Sequence, residues 1–304
     1  LHFTHPYPAI DPAHTRANLK IQDGCDEYCA YCEVPYARGS VRSREFDDIL
    51  REARELAAAG YKEVILTGIH IGKYQHNDRT LIDVIKSLED MANIKRIRLS
   101  SIEPTEILED LIRHMAGQTK LCRYLHIPLQ HGSDELLSAM GRKYTTAEYS
   151  RTIRAAADSV KDICIGTDVI VGFPGETDAH FRTSYDLLND LPVHYFHVFS
   201  YSDRPNARAR DLPDKVNDFV KFARGRILRS LSRKKRTLFS QRFIGKTVEV
   251  LFEQQKKGLW KGLTDNFLSV GTNGKQDLQN TLQPVKINTM KGDSFLQGDI
   301  VYSK

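Results

Sequence analysis

The chain has 304 residues, with 44 Lys+Arg against 39 Asp+Glu and a formal net charge of +5. Hydrophobic residues make up 40% and charged residues 27%, the balance of an ordinary globular chain with a full core that needs no disulfides. The length predicts about two domains, or one large α/β domain with an appendage, and no stretch nears the ~20 apolar residues of a membrane span.

The opening run LHFTHPYPAI has neither a basic segment nor an apolar core, so it does not read as a signal peptide. Headed by Leu1 rather than Met, it reads as processed or trimmed, and residues 1–16 as a lead-in segment. From about residue 17 to 212, β-rich runs alternate with amphipathic helical patterns. Strands are predicted at 19–22, 63–67, 96–100, 124–129, 163–171 and 195–200. Helices are predicted between them at 46–59, 81–91, 105–115, 146–160 and 178–188. Six βα units imply a parallel sheet, either doubly wound or an incomplete barrel. Both put chemistry at the C-terminal ends of the strands.

The composition then shifts. Residues 213–243 form a long basic helical stretch, and residues 221–246 hold ten Lys/Arg and no acid. From 244 to 304 come short strands at 247–252, 259–264, 268–270, 282–287 and 294–302, with glycine turns between them. This predicts a small C-terminal β-barrel.

Five cysteines are present: Cys25, Cys29, Cys32, Cys122 and Cys164. An odd count without a signal peptide points to a reducing, cytoplasmic setting rather than a disulfide framework. Three of them fall in GCDEYCAYCEVP, a C-x3-C-x2-C run just past the first strand. No fourth Cys or His lies at the spacing of a closed zinc site. Three thiolates on a four-iron four-sulfur (4Fe-4S) cluster would leave one iron open. A zinc loop is the plainer alternative. Cys122 and Cys164 read as core residues.

That spacing, with Tyr31 before the last cysteine, resembles the signature of the radical S-adenosylmethionine (SAM) enzymes. The wider blocks KIQDGCDEYCAYCEVPYARGSVRSR, VILTGIHIGKY, RLSSIEP, LHIPLQHGSDELLSAMGRKYT, DVIVGFPGET and FHVFSYSDRP, in that order, are similar to those of the methylthiotransferases. The ARG after Cys32 and the TGIHIGKY block most resemble the branch acting on N6-threonylcarbamoyladenosine (t6A37) in tRNA. The resemblance implies a partial (βα)6 radical SAM barrel and a C-terminal barrel like the TRAM domain, itself OB-like. It implies a cluster held by Cys25, Cys29 and Cys32, whose open iron binds SAM and whose electron cleaves it to a 5′-deoxyadenosyl radical. It also implies an extra N-terminal domain, with three more cysteines on a second cluster. This chain shows no such cysteines, so the expectation is SAM cleavage without sulfur insertion. Glu33 and His131 stand where the family commonly has an apolar or small residue and a serine.

Strand ends supply the candidate SAM contacts: Tyr31, Thr67, Gly68, His70, Ser101, Glu103, Gln130, Asp168 and Val171. Gly68 would admit a close backbone approach. Glu103 could instead start a helix, and Glu176 reads better as a helix N-terminal residue. Asp168, a carboxylate in an apolar strand, asks for a partner. GFPG lacks the pattern of a phosphate loop. For RNA the candidates are Arg38, with Arg42 and Arg44, near the cluster loop, and Arg229, Arg233, Lys234, Lys235 and Arg236 on the helix. Trp260 and Phe267 are candidate stacking residues on the barrel. The partners implied are tRNA at its anticodon loop and a flavodoxin- or ferredoxin-like electron donor, with no membrane. The competing readings are action on isopentenyladenosine tRNA or a ribosomal protein, and a non-catalytic RNA-binding protein with a structural metal loop.

Overall fold

The computed structural model describes residues 14–302 apart from 108 and 275. The lead-in segment 1–16 lies outside them except for His14, Thr15 and Arg16, and Arg16 already opens the first strand.

The first strand is Arg16–Lys20, earlier than the 19–22 pattern, and it stops at Lys20 because Gln22–Asp23 leaves the sheet to pair antiparallel with Arg42–Ser43. Glu63–Thr67, Arg96–Leu99, Tyr124–His126, Cys164–Val171 and Tyr195–Ser200 follow. The first three strands pair in parallel in chain order, and so do the last three. Parallel bridges Ile97–Leu121 and Ser101–His126 join the halves. Strands thus neighbour one another in the order they occur, which is barrel topology and not the doubly wound alternative. Among the described residues the first and sixth strands do not pair, so the barrel is open.

The fourth strand stops at His126, not at 129, because Pro128 has no N–H to donate and Gln130 sits at φ +67°. The chain still tracks its neighbour there, with Leu129 N donating to Thr167 Oγ1 at 2.8 Å and Gln130 N to the Asp168 carbonyl at 2.9 Å.

Helices Phe46–Ala58, Leu81–Glu89, Thr146–Ser159 and Asp178–Asp190 cover the outside, each with an apolar stripe such as Ile49, Ala53 and Leu56 turned inward. Thr145 caps one of them by accepting from Glu148 N at 3.2 Å. The predicted 105–115 helix begins at Glu109, after a separate 3₁₀ turn at Pro104–Glu106. Two short helices, Val34–Arg38 and Asp134–Ala139, carried no sequence signal long enough to be seen.

The basic helix runs Asp218–Gln241. Pro213 and the left-handed Asp214 (φ +57°) delay its start, and Asn217 caps it by accepting from Phe219 N at 2.9 Å. No helix among the described residues is long and apolar enough to cross a membrane. Thr247–Lys256, Leu259–Leu263, Ser269–Asn273, Leu282–Lys291 and Phe295–Ile300 then close into a five-stranded barrel.

That barrel sits at the N-terminal ends of the parallel strands. Cys122, Tyr124, Cys164 and Tyr195 share one buried cluster with its Phe252, Val270 and Ile287. Arg98 donates to the carbonyls of Asp265 at 2.9 Å and Thr264 at 3.1 Å, and to buried Glu63 at 2.7 Å. Arg96 reaches the Leu263 and Glu249 carbonyls, each at 2.9 Å. The opposite, C-terminal end stays open, and the cysteine loop lies there.

Candidate functional site

The loop is tied down before its first cysteine. Buried Gln22 donates to the carbonyls of Asp23 at 2.8 Å and Gly24 at 2.7 Å, and its Oε1 accepts from His70 N at 2.7 Å. Gly68 is needed there, since an added Cβ would meet the Gln22 carbonyl at 2.9 Å. Gly24, at φ +77°, makes the turn that carries Cys25 out, and Cys25 N donates to the Gly39 carbonyl at 3.1 Å.

All three loop thiols are free. Burial pushes the Cys29 and Cys32 thiols up, and the charge of the neighbouring thiols raises both further. They are nonetheless not gathered closely around one point. A zinc ~2.3 Å from each sulfur would need sulfurs ~3.8 Å apart. Among the described residues, no group of three donors within 4.8 Å of one another contains these cysteines. A set not gathered around one point suits a group with separate iron corners. As the loop stands, this favours a cluster over a zinc loop.

Two cavities flank the loop. One of about 330 Å³ is lined by Glu27, Cys29, His70, Glu103, Arg142 and Tyr144. Arg142 Nη1 lies 3.3 Å from Cys29 Sγ, and its other nitrogen is ion-paired with Glu103. Burial raises the Glu103 carboxyl above its usual range despite that arginine. His70 stands with Nδ1 3.7 Å from Cys25 Sγ and Nε2 2.6 Å from Glu106. Burial opposes its charge, yet Cys25 and Glu106 push its pKa up to about 9.

The second cavity, about 290 Å³, is lined by Tyr31, Gln130, Asp168, Ile170, Phe199 and Tyr201. Burial works against the Asp168 charge, but bonds from His126 and His197 hold its pKa at about 2.

The candidate SAM residues thus divide. Tyr31, Gln130 and Asp168 meet in one cavity and Glu103 lines the other. Thr67 lies at the end of its strand, beside Gly68. Ser101 is exposed and joins the sheet halves by its bridge to His126. Val171 is buried, and its carbonyl accepts from Tyr201 N at 2.8 Å.

Glu176 is not a helix cap: Thr177 caps, accepting from His180 N at 3.3 Å. Buried Glu176 instead bonds Gly172 N, Arg224 at 2.8 Å and His131 at 3.2 Å. His131, where the family commonly has serine, fills that network with no exposure at all. Glu33 clasps the cysteine loop to Asn206, whose N donates to it at 3.1 Å.

Three residues of the site went unmarked in the sequence: Gln22, Glu106 and Arg142. Each falls in or beside a block that carried the resemblance, but each acts on a partner 36 to 113 positions away, which spacing cannot reveal.

On the RNA side, Arg38, Arg233 and Lys234 are exposed and Arg229 half-buried; Arg229 and Arg233 line a groove on the basic helix. Lys235 is turned inward, donating to the Asn189 carbonyl at 2.9 Å and the Leu191 carbonyl at 2.7 Å. Arg236 lies over the Tyr195 ring at 5.4 Å. Trp260 is buried in the barrel, which removes it as a stacking face. Phe267 stacks on Tyr124 and Tyr195, inside the junction with the barrel. Arg44 is buried and paired with Asp48 and Glu52, so it is structural.

The family model for the radical SAM superfamily matches residues 19–188. The threonylcarbamoyladenosine tRNA methylthiotransferase MtaB of Bacillus subtilis is 34% identical over 281 residues, covering 90% of this chain and 62% of that protein. The tRNA-2-methylthio-N(6)-dimethylallyladenosine synthase of Thermoanaerobacter sp. is 37% identical over 300 residues, covering 97% of this chain and 64% of that protein. The chain spans less than two thirds of the length of both relatives. Among solved structures, coproporphyrinogen III oxidase (HemN) from Escherichia coli aligns with TM-score 0.57 and 16% identity, covering 75% of this chain and 54% of that one. TsrM, a radical SAM methyltransferase from Kitasatospora setae, aligns with TM-score 0.55 and 22% identity, covering 64% of this chain and 38% of that one. At these identities the two structures show the shared fold.

Proposed function

The chain belongs to the radical SAM superfamily and, within it, to the methylthiotransferases, and from that premise we propose that it takes part in 2-methylthiolation of N6-threonylcarbamoyladenosine in the anticodon loop of tRNA. The observation that carries this is the trio Cys25, Cys29 and Cys32 on one loop at the open end of a parallel barrel, with a cavity on either side.

When bound, the cluster and SAM supply reductive cleavage of a carbon–sulfur bond and so a carbon-centred radical. The protein's part is to hold and orient. Cys25, Cys29 and Cys32 are the cluster ligands. Arg142 keeps positive charge beside the Cys29 sulfur, and Glu103 fixes Arg142 in place. Tyr31, Gln130 and Ile170 offer a ring face, an amide and an apolar edge to an adenosine. Cys122 and Cys164 are buried where the barrels join, so the described residues hold no second open thiol set. This stretch supports SAM cleavage, and sulfur insertion draws on a further sulfur source.

The exposed Arg38, Arg229, Arg233 and Lys234 suit a phosphate backbone, and the C-terminal barrel suits a TRAM-like role as a second RNA contact. A small flavodoxin- or ferredoxin-like donor fits the need for single electrons. The threonylcarbamoyl branch is the one that the TGIHIGKY block at 67–74 resembles.

The test is nucleoside analysis. Full-length, cluster-loaded protein is incubated with SAM, dithionite, and tRNA carrying either threonylcarbamoyl- or isopentenyladenosine. Methylthiolation of the first alone is the expected outcome. Product on the second alone moves the enzyme to the dimethylallyl branch, and product on neither contradicts the tRNA reading.

A further inference from the structure

Beneath the second cavity three donors from three adjacent strands converge. His126 ends the fourth strand, Asp168 lies in the fifth and His197 in the sixth. Asp168 pairs in register with His197, and His126 with Gly166, two residues before Asp168. Side chains two apart on a strand share a face, so all three project on the same side of the sheet. Nε2 of His126 is 3.0 Å and Nδ1 of His197 3.2 Å from the same Asp168 oxygen, Oδ1. All three donor atoms lie within 4.8 Å of one another.

We propose that His126, Asp168 and His197 form a binding site for a divalent first-row transition ion, separate from the cysteine cluster. Two imidazoles and a carboxylate suit Zn(II), Fe(II) or Co(II), and not Mg(II) or Ca(II), which demand oxygen ligands. Ligands ~2.0–2.2 Å from an ion sit ~3–3.5 Å apart, which the 3.0 and 3.2 Å separations already match.

The surroundings resemble those of a built site. His126 Nδ1 faces the Tyr195 hydroxyl at 3.3 Å, and Tyr195 is bonded in turn to the Tyr124 hydroxyl at 2.5 Å. A metal-bound imidazole needs such an oxygen on its other nitrogen to fix its tautomer. Gly166 makes room for this, since an added Cβ would overlap the Tyr195 ring. The carboxylate is held ionised by its partners. On the other side the site faces the cavity with Tyr31 and Gln130, which leaves positions open to water or a ligand atom. Without an ion, protons occupy the two N–O gaps as hydrogen bonds. Ion binding displaces them: the His126 proton then sits on Nδ1 against Tyr195, and the His197 proton on its Nε2.

The probe is Co(II), titrated anaerobically into protein whose cysteines already carry the cluster, so that thiols do not compete. The expected result is stoichiometric Co(II) with ligand-field bands and no sulfur-to-cobalt charge transfer. His197→Ala, at a half-exposed side chain, and Asp168→Asn should abolish it with iron content and circular dichroism unchanged. Tyr195→Phe should weaken it about 10-fold. Absence of tight Co(II), binding that carries sulfur charge transfer, or binding that survives His197→Ala overturns the proposal. None of these readouts depends on tRNA, so the functional reading stands or falls apart from it.

Discussion

Arg142 carries more of the site than any polar residue marked by the sequence. It is nearly buried between Cys29 and Glu103, and Glu103 has no other ion-pair partner among the described residues. Replacing Arg142 by Met strands a mostly buried carboxylate, a loss of ~3 kcal/mol. Urea unfolding should show that drop, and Glu103→Gln in the same chain should recover most of it. Asp168 makes a pH prediction. Its folded pKa of about 2 lies below the usual ~3.9, so its stabilisation is present above pH ~4 and is lost as pH falls toward 2. Asp168→Asn should flatten that acid limb of a stability–pH curve, and an unchanged limb would show that the histidine pairing adds nothing. The three cysteines were legible because their spacing is local. Gln22, Glu106 and Arg142 were not, because their partners His70 and Cys29 sit on loops far off in the sequence. Trp260 misled because an aromatic that packs a barrel and one that stacks a base look alike in sequence.

At the scale of elements, periodicity located all six parallel strands, four of the six long helices within a residue or two of both ends, and every barrel strand. Each of these buries one face for several residues, and that leaves a pattern. What escaped was short or irregular: the Gln22–Asp23 pairing, the two small helices, and the 3₁₀ turn that delays Glu109. Their geometry is set by tertiary contacts, which leave no period. The basic helix gives the element-scale prediction. With Arg229 and Arg233 on a solvent-facing groove, Arg229→Glu with Arg233→Glu should lower tRNA affinity and reduce the slope of log K against log salt by roughly 1.5–2. Lys235→Glu would instead destabilise the fold, since that side chain is spent on the Asn189 and Leu191 carbonyls. A double variant with an unchanged salt slope would remove this helix from the RNA surface.

For the whole molecule, the C-terminal barrel plugs one end of the parallel barrel and the cysteine loop occupies the other. The two barrels share the cluster around Tyr124, Tyr195 and Phe252, and Arg98 pins them through Glu63 and two carbonyls. They should therefore unfold as one. Trp260, the single tryptophan, reports on the C-terminal barrel, while far-ultraviolet circular dichroism reports on the whole chain. The two denaturation curves should coincide, and Arg98→Met should shift both together by ~3–5 kcal/mol. This arrangement leaves the mouth free for chemistry, and every functional reading rests on what the three cysteines hold there. The most direct measurement is anaerobic reconstitution with iron and sulfide, followed by dithionite and SAM. A brown protein with about four irons per chain that releases 5′-deoxyadenosine, and loses both properties in Cys29→Ala, is the result this account requires. A colourless protein that retains a single zinc and leaves SAM intact would contradict it.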